Sequence, residues 1–354
     1  MIFRARAPLR ISFAGGGTDL SPYVNDRGGL VLNATIDRHA YATIRLREDR
    51  VISVKSLDFK TSLDFSVDEH PPFDGSLDLI KACLRRLQPD RKEDVSGLEL
   101  YLETEAPPGS GLGASSALVV ATIGALAVWR GLRLDKYEVA RLAWEIERLD
   151  VAVPGGLQDQ YSASFGGFNL IEFRNEREAL VNPLRIEPHV LQELEYNMLL
   201  VYTGATRASA RIISSQIAGL SGGQSDVIEA MDRMKALTLE AKDALLTGRL
   251  SDFAEILHEE WQAKKRTSDA VTTPLIDEMY DEARRLGAVG GKVSGAGGGG
   301  FMFLYCPFDR RPAVTDRLRQ LEGEILPMAF TPDGMQAWSW AERRGAPSLA
   351  QRPS

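Results

Sequence analysis

The sequence is poor in the residues that build metal clusters and disulfide frameworks. It has two cysteines, Cys83 and Cys306, in 354 residues, and only four histidines. Two isolated cysteines predict neither a disulfide scaffold nor a thiolate metal site. The histidines are scattered and show no metal-ligand spacing. We therefore expect any catalytic chemistry to rest on other side chains.

Long apolar runs and a strong excess of one charge are also missing. No stretch reaches about 18 apolar residues, the usual minimum for a membrane-spanning helix, and the N-terminal residues show no signal-peptide pattern. The 42 basic and 49 acidic residues give a net charge of −7. This mild acidity predicts no general affinity for nucleic acids or membranes. We expect a cytoplasmic protein that binds anions only at a local site.

Glycine is abundant, with 32 residues, and much of it is concentrated in a few turns. One of them, PPGSGLGASSA at residues 107–117, is called the cradle loop below and leads into an uncharged helical pattern over 117–129. Alternate glycines leave backbone N–H groups uncovered at a helix N-terminus, which favours an anion. We interpret the loop as a triphosphate site. The residues predicted to contact the ATP phosphates are Pro108, Gly109, Ser110, Gly111, Leu112, Gly113, Ala114, Ser115 and Ser116.

The common phosphate-binding motifs do not fit this sequence. A Walker A loop built on Lys292 would have Leu286 in its first glycine position and Val293 in its hydroxyl position. Residues 295–300 match the letters of the dinucleotide-binding fingerprint but lead into a strand rather than a helix. The signature motifs of protein kinases are absent as well. A different class of phosphate site is therefore expected.

Other glycine-rich turns lie on either side of the cradle loop. Residues 15–17 are three glycines that precede Thr18 and Asp19, residues 153–167 include Asp159 near the start of a short helix, and residues 290–300 precede a strand. From local sequence alone, Asp19 is either a ligand-binding carboxylate or a cap of a turn or helix. Asp159 is likewise either a catalytic base or a helix cap.

Periodicity predicts strands in the first hundred residues and mostly helices after residue 208. The segments with helical spacing are 76–87, 117–129, 135–149, 208–220, 226–246, 250–268, 274–286 and 311–322. Residues 174–195 are charged and contain Pro183 and Pro188, so we place a domain boundary there. The expected domains are 1–185 and 195–345.

The glycine-rich turns, in this order, resemble those of the GHMP kinase family over nearly the whole chain. The segments that carry the resemblance are PLRISFAGGGTD at 8–19, the cradle loop, VPGGLQDQ at 153–160 and KVSGAGGGG at 292–300. The resemblance implies an α+β fold with an N-terminal ribosomal-S5-like domain and a C-terminal ferredoxin-like domain. It also implies an active site between the two domains.

Within the family, the form of the first segment looks like the sugar-1-kinase branch. This implies ATP- and Mg²⁺-dependent phosphorylation of the C1 hydroxyl of D-glycero-D-manno-heptose 7-phosphate to the 1,7-bisphosphate, for nucleotide-activated heptose and surface glycans. Galactokinases carry Gly-Glu-His-Thr-Asp where this chain has Gly-Gly-Gly-Thr-Asp at 15–19, which argues against galactose. Another sugar such as L-fucose, or a non-catalytic sugar or nucleotide sensor, stays open. A homo-oligomer is possible, and no other partner is expected.

The resemblance also implies roles for individual residues. Asp159 would accept the proton of the anomeric hydroxyl, and Arg10 beside it would help polarise the nucleophile. Ser115 and Glu147 would hold Mg²⁺, with Glu145 as the alternative if the helix register differs. Without the resemblance, Arg10 reads as a strand-end charge and Glu147 as part of a solvated helix face.

The substrate contacts are assigned in the same way. The residues expected at the sugar are Gly16, Gly17, Thr18, Asp19, Gly156, Gly297 and Gly298. The 7-phosphate requires a cation of its own, and Arg207 and Lys292 are the candidates. Either one is equally well explained as a surface charge.

Overall fold

The computed structural model describes residues 1–58, 60–87, 96–107, 109–204 and 209–341. It contains two sheets. The strands are β1 (Ile2–Ala14), β2 (Gly29–Leu46), β3 (Val51–Ser56), β4 (Thr61–Ser66), β5 (Leu98–Thr104), β6 (Phe168–Asn175), β7 (Glu178–Pro183), β8 (Met198–Tyr202), β9 (Gly290–Val293), β10 (Phe301–Tyr305), β11 (Glu324–Leu326) and β12 (Gln336–Trp340). The first sheet has the order β12-β1-β2-β5-β3-β4, with β6 and β7 continuing from another part of β2. The second has the order β11-β8-β10-β9.

Helices cover both sheets. They are α1 (Tyr23–Arg27), α2 (Asp78–Leu87), α3 (Ala114–Arg130), α4 (Lys136–Glu145), α5 (Gln158–Phe165), α6 (Pro188–Asn197), α7 (Ser209–Ser221), α8 (Ser225–Leu246), α9 (Leu250–Lys265), α10 (Pro274–Arg285) and α11 (Arg311–Gln320). A π-helical turn, Ile146–Asp150, continues α4, and a 3₁₀ turn spans Asp269–Val271. None of the helices in the described residues has the length and apolar character needed to cross a bilayer.

Helix α3 is the buried helix of the N-terminal half. Its sequence carries no charge before Arg130, and nearly every residue from Ala114 to Ala127 is buried against β1 and β2. A helix that is apolar on all sides is stable only when it is covered on all sides. Because α3 is fixed in this way, its N-terminus holds the cradle loop in a defined place beside the first sheet.

Phe13 connects the cores of the two halves. This β1 side chain is fully buried, and its ring lies 5.4 Å from Phe253 of α9, 5.5 Å from Phe303 of β10 and 6.0 Å from Phe168 of β6. Aromatic rings at these separations stabilise each other beyond the area they bury. One hydrophobic core therefore extends from the first sheet to the second, and it fixes the two halves against each other.

The α+β fold class is confirmed, and the predicted helices are present with shifted ends. The segment after Pro188 differs from the prediction, because it forms a helix, α6, that was not among the expected helical segments and that extends through Asn197. Strand β12 lies within the range expected for the C-terminal domain, 195–345, yet it pairs with β1 in the first sheet. The domain limits 1–185 and 195–345 themselves stay a prediction.

Candidate active site

The cradle loop lies in contact with the first and the last of the glycine-rich turns. The Arg10 N–H of β1 donates to the Leu112 carbonyl at 3.0 Å, and the Phe301 N–H of β10 donates to the Ser110 carbonyl at 2.9 Å. Gly111 has φ +78°, and a Cβ there would overlap the Ser294 carbonyl. Only glycine combines this conformation with such close backbone approach. The turns that are separate in sequence therefore form one site.

Arg10 and Asp159 form an ion pair beside the cradle loop. The Arg10 Nε and Nη2 lie 2.8 Å and 2.6 Å from the same carboxylate oxygen, Asp159 Oδ1. The Arg10 Nη1 donates to the Gly111 carbonyl at 2.6 Å. The other carboxylate oxygen, Oδ2, faces Gly113, since a Cβ on that glycine would lie 3.4 Å from it. The pair thus joins β1, the start of α5 and the N-terminus of α3.

Asp19 is a long-range cap of helix α5. Its Oδ2 accepts the N–H groups of Leu157 and Gln158 at 2.8 Å and 3.0 Å, and its Oδ1 accepts the Gly17 N–H at 3.0 Å. A carboxylate at a helix N-terminus satisfies free N–H groups and interacts favourably with the helix dipole. A Cβ on Gly156 would overlap this carboxylate. Asp19 therefore fixes the helix that carries Asp159, and it also lines the cavity described below.

The π-helical turn after α4 directs Glu147 into the interior. Glu147 is 2% exposed, and its Oε2 accepts a hydrogen bond from the Ser116 hydroxyl at 3.1 Å. The same oxygen lies 3.1 Å from Nη2 of Arg148. Glu145 instead forms ion pairs with Arg141 and Arg86 near the surface. Of the two glutamates, Glu147 is thus the one that reaches the N-terminus of α3.

The surroundings of Glu147 fit a magnesium ion. Its Oε1 is buried and has no hydrogen-bond partner, and burial raises the pKa of this carboxyl above its usual value. Among the described residues, no group of three or more His, Cys, Asp or Glu side chains is placed to hold a metal. Mg²⁺ commonly binds through one or two carboxylates together with substrate phosphates and water. A single buried carboxylate beside the cradle loop is consistent with that pattern.

The two adjacent serines near the end of the cradle loop, Ser115 and Ser116, differ in their surroundings. Ser116 is buried; its hydroxyl donates to Glu147 and accepts from Gln160 Nε2 at 3.2 Å. Ser115 is exposed and lines a neighbouring cavity. The structure thus joins Glu147 with Ser116 and leaves Ser115 as the hydroxyl that faces open space.

A narrow cavity of about 70 Å³ lies next to the Arg10–Asp159 pair. It is lined by Arg10, Gly16, Gly17, Asp19, Leu20, Arg148, Gly156, Gln158, Asp159, Ile213, Gln216, Lys264, Gly295 and Ala296. The structure thus brings together Gly16, Gly17, Asp19 and Gly156 from the predicted substrate contacts. It also places both predicted catalytic residues at the same cavity.

Other predicted substrate contacts lie elsewhere. The Thr18 hydroxyl donates to the Gly15 carbonyl and accepts the Leu30 N–H, so it stabilises the turn from inside. Lys292 was expected at a substrate phosphate, but it is 1% exposed and paired with Glu260 at 3.0 Å. This pair supports the turn, because Glu260 also accepts the Gly15 N–H. Neither Thr18 nor Lys292 is a lining residue of the cavity.

The last glycine-rich turn lines the cavity with residues that precede the predicted Gly297 and Gly298. Gly295 and Ala296 line the cavity. Gly297 packs against Val271, since a Cβ there would lie 2.5 Å from the Val271 carbonyl oxygen, and the Gly298 N–H donates to that carbonyl at 2.6 Å. Two further predicted contacts, Pro108 and Arg207, lie outside the described residues.

Sequence reasoning missed two cations at the cavity. Arg148 donates to the carbonyls of Val153 and Gly156 at 3.0 Å and 3.3 Å, and so holds the turn before α5. Lys264 reaches the cavity from the last turn of α9. Both residues lie in helical segments where a charged side chain is normally solvated, so the local pattern gives no signal for Lys264. For Arg148 the signal is its position next to Glu147.

A second, larger cavity of about 600 Å³ opens on the other side of the cradle loop. Its lining is mainly apolar and consists of Thr61, Gly75, Ser76, Leu77, Asp78, Leu79, Ile80, Thr104, Gly109, Ala114, Ser115, Leu118, Val119, Val151 and Val153. An apolar cleft of this size with a few polar groups suits a flat aromatic ligand.

These features are those of a two-domain kinase with a glycine-rich loop that leads into a helix N-terminus beside the cavity. The family model for the GHMP kinases N terminal domain matches residues 78–167, and that for the GHMP kinases C terminal matches residues 241–322. The chain belongs to the GHMP kinase family and is an ATP-dependent sugar kinase. It is 39% identical over 335 residues to the D-glycero-alpha-D-manno-heptose 7-phosphate kinase of Campylobacter jejuni, covering 95% of this chain and 98% of that protein.

Solved structures show the same relationship. A D-glycero-D-manno-heptose 1-phosphate kinase from Bacteroides thetaiotaomicron superposes with a TM-score of 0.80 at 37% identity, covering 96% of this chain and 99% of that one. A Lactococcus lactis galactokinase in complex with galactose superposes with a TM-score of 0.76 at 21% identity, covering 95% of each chain. The latter likeness shows the shared fold alone.

Proposed function

We propose that this kinase transfers the γ-phosphoryl group of ATP to the C1 hydroxyl of D-glycero-D-manno-heptose 7-phosphate, giving the 1,7-bisphosphate. The observation that carries the proposal is the Arg10–Asp159 pair, which lies at the substrate cavity and against the N-terminus of α3. The similarity to the Campylobacter jejuni enzyme supports the choice of sugar. The product would supply nucleotide-activated heptose for surface glycans.

In this mechanism, Asp159 acts as the general base. Its Oδ2 accepts the proton of the C1 hydroxyl while the C1 oxygen forms a bond to the γ-phosphorus, and the bond from that phosphorus to the β–γ bridging oxygen breaks to release ADP. Arg10 holds Oδ1 and so fixes the carboxylate in place. Such transfer depends mainly on in-line positioning and charge neutralisation, which the site provides through its rigid turns.

The cradle loop supplies the phosphate contacts in this proposal. Backbone N–H groups at the start of α3 bind the β- and γ-phosphates, and the larger apolar cavity receives the nucleobase. Glu147 and the Ser115 hydroxyl would hold Mg²⁺, and the Ser116 hydroxyl, which donates to Glu147, would orient that carboxylate. When bound, Mg²⁺ neutralises charge on the phosphate oxygens.

The proposal is tested by measuring ATP consumption with heptose 7-phosphate, L-fucose, galactose and mevalonate. We expect kcat/KM for heptose 7-phosphate to exceed the others by about 100-fold or more, since buried polar groups discriminate strongly against substrates that leave them unpaired. Phosphorus NMR of the product should show a new anomeric phosphate. A preference for L-fucose would mean that L-fucose, rather than heptose 7-phosphate, is the substrate. An absence of ATP consumption with every sugar would favour a non-catalytic sensor.

A further inference from the structure

Lys264 is the cation at the substrate cavity whose role the mechanism above leaves open. It belongs to α9 of the C-terminal half, yet its Nζ reaches the first glycine turn and donates to the Gly16 carbonyl at 2.5 Å. The side chain is 2% exposed and lines the cavity. Gly17 allows this approach, because a Cβ there would lie 3.1 Å from the Lys264 Nζ.

The three cations of the cavity differ in how far their hydrogen-bonding capacity is used. Arg10 is occupied by Asp159 and the Gly111 carbonyl, and Arg148 by Glu147 and two backbone carbonyls. Within the described part of the chain, Lys264 has no carboxylate within ion-pair distance and one hydrogen-bond acceptor. Since an ammonium group has three N–H donors, two remain available for a ligand.

The charges around Lys264 leave a site that favours an anion. Burial, followed by the neighbouring Lys292, lowers the pKa of Lys264 to about 8, while Glu260 and Asp19 act in the opposite direction and Arg10 adds to the lowering. A buried cation without a partner is costly. A phosphate in the cavity would supply the missing negative charge and accept the free N–H groups.

We infer that Lys264 binds the phosphate group that the sugar substrate already carries, while its C1 hydroxyl lies at Asp159. The inference rests on the proposed function and assigns the recognition of a phosphorylated rather than a free sugar to this residue. Lys264 takes the place of Lys292 as the candidate for this phosphate contact, because the Lys292 ammonium group is paired with Glu260. The C-terminal half thereby selects the acceptor, and the N-terminal half carries the base and the ATP site.

The test compares Lys264→Met with Lys265→Met, the same substitution at the next residue. Lys265 is partly exposed, pairs with Asp277 at 3.4 Å and does not line the cavity. Steady-state kinetics are measured with heptose 7-phosphate and with unphosphorylated heptose. For Lys264→Met, we expect KM for the phosphorylated sugar to rise about 10- to 100-fold, as expected for loss of a hydrogen bond to a charged group. KM for the free sugar should change little, and Lys265→Met should match the wild type.

A pH series separates ligand binding from a structural role. The wild-type KM for heptose 7-phosphate should rise above about pH 8, where Lys264 loses its proton, whereas Lys264→Met should lack this rise. Equal losses with both sugars, or an unchanged KM for the phosphorylated one, would overturn the assignment. If Lys264→Met fails to fold, Lys264→Gln is measured in the same way.

A thermal-stability assay with inorganic phosphate tests the phosphate site at Lys264 independently of the proposed sugar. With ADP present to fill the nucleotide site, phosphate should raise the melting temperature of the wild type and of Lys265→Met but not of Lys264→Met. If the wild type rejects heptose 7-phosphate yet shows this difference, the proposed substrate fails and the phosphate site stands. If phosphate stabilises all three proteins equally, the site itself is refuted.

Discussion

Arg10 contacts Asp159 through two nitrogens that share one carboxylate oxygen. Nε at 2.8 Å and Nη2 at 2.6 Å both meet Oδ1, whereas a fork-like arginine–carboxylate pair uses both oxygens. Oδ2 is therefore directed away from the guanidinium, towards Gly113 at the N-terminus of α3. This arrangement anchors the carboxylate by one oxygen and leaves the other for the substrate hydroxyl.

Asp159→Asn should abolish most turnover while the protein still binds ATP. An amide cannot accept the proton of the C1 hydroxyl, and general-base catalysis contributes about 10²- to 10⁴-fold, so kcat should fall by that range. Kinetics and ATP titration calorimetry check both parts. Asp150→Asn is the control, because Asp150 pairs with Arg86 on the surface. Near-wild-type kcat in Asp159→Asn would remove this residue from the role of base.

Glu147→Gln should increase the Mg²⁺ concentration needed for half-maximal rate by about tenfold or more, the range typical for disturbing a metal site. The buried, unpartnered Oε1 is the reason. A Mg²⁺ titration at saturating ATP measures the change, with Glu145→Gln as a surface control on the same helical segment. Ser115→Ala should shift the requirement in the same direction. An unchanged Mg²⁺ dependence in both variants would contradict the metal assignment.

Gly111→Ala should impair ATP binding far more than Gly131→Ala. Both glycines have positive φ, +78° and +66°, so the intrinsic conformational strain of alanine is similar, about 1–2 kcal/mol. A Cβ at Gly131 meets nothing within 4 Å, whereas at Gly111 it overlaps the Ser294 carbonyl. Binding of ATP measured by calorimetry on both folded variants separates steric overlap from strain. Equal affinities would show that the contact between the two turns is dispensable.

Phe13→Ala should destabilise the protein by about 3–5 kcal/mol, the usual cost of emptying a buried aromatic site. Phe13 is fully buried between the two halves, whereas Phe308 is 65% exposed. Phe308→Ala is therefore the control and should change the free energy of unfolding by less than about 0.5 kcal/mol. Urea denaturation followed by fluorescence gives both values. A small loss in Phe13→Ala would mean that the two halves do not depend on this contact.

Much of the fold could be predicted because its signals are local. The uncharged pattern after the cradle loop gave α3, and the periodicity of 226–246 and 250–268 gave α8 and α9. The pairing of strand β12 with β1 was not predicted, because it joins segments more than 300 residues apart in the sequence. Alternation in a strand shows that one face is covered, but it does not reveal the partner strand.

In the candidate site, too, local signals could be predicted from the sequence, whereas long-range contacts could not. By itself, the sequence predicted an anion site at the cradle loop and showed the family resemblance, because glycine spacing and helix starts are chemical signals within a few residues. The candidate pair Arg10 and Asp159 followed from that resemblance. Tertiary structure alone decided that Asp19 caps α5, that Ser116 holds Glu147, and that Lys264 rather than Lys292 reaches the cavity. Lys264 and Lys292, both in the C-terminal half, differ in the residues that are packed around them. Their roles therefore depend on contacts between distant segments, which only the folded chain brings together.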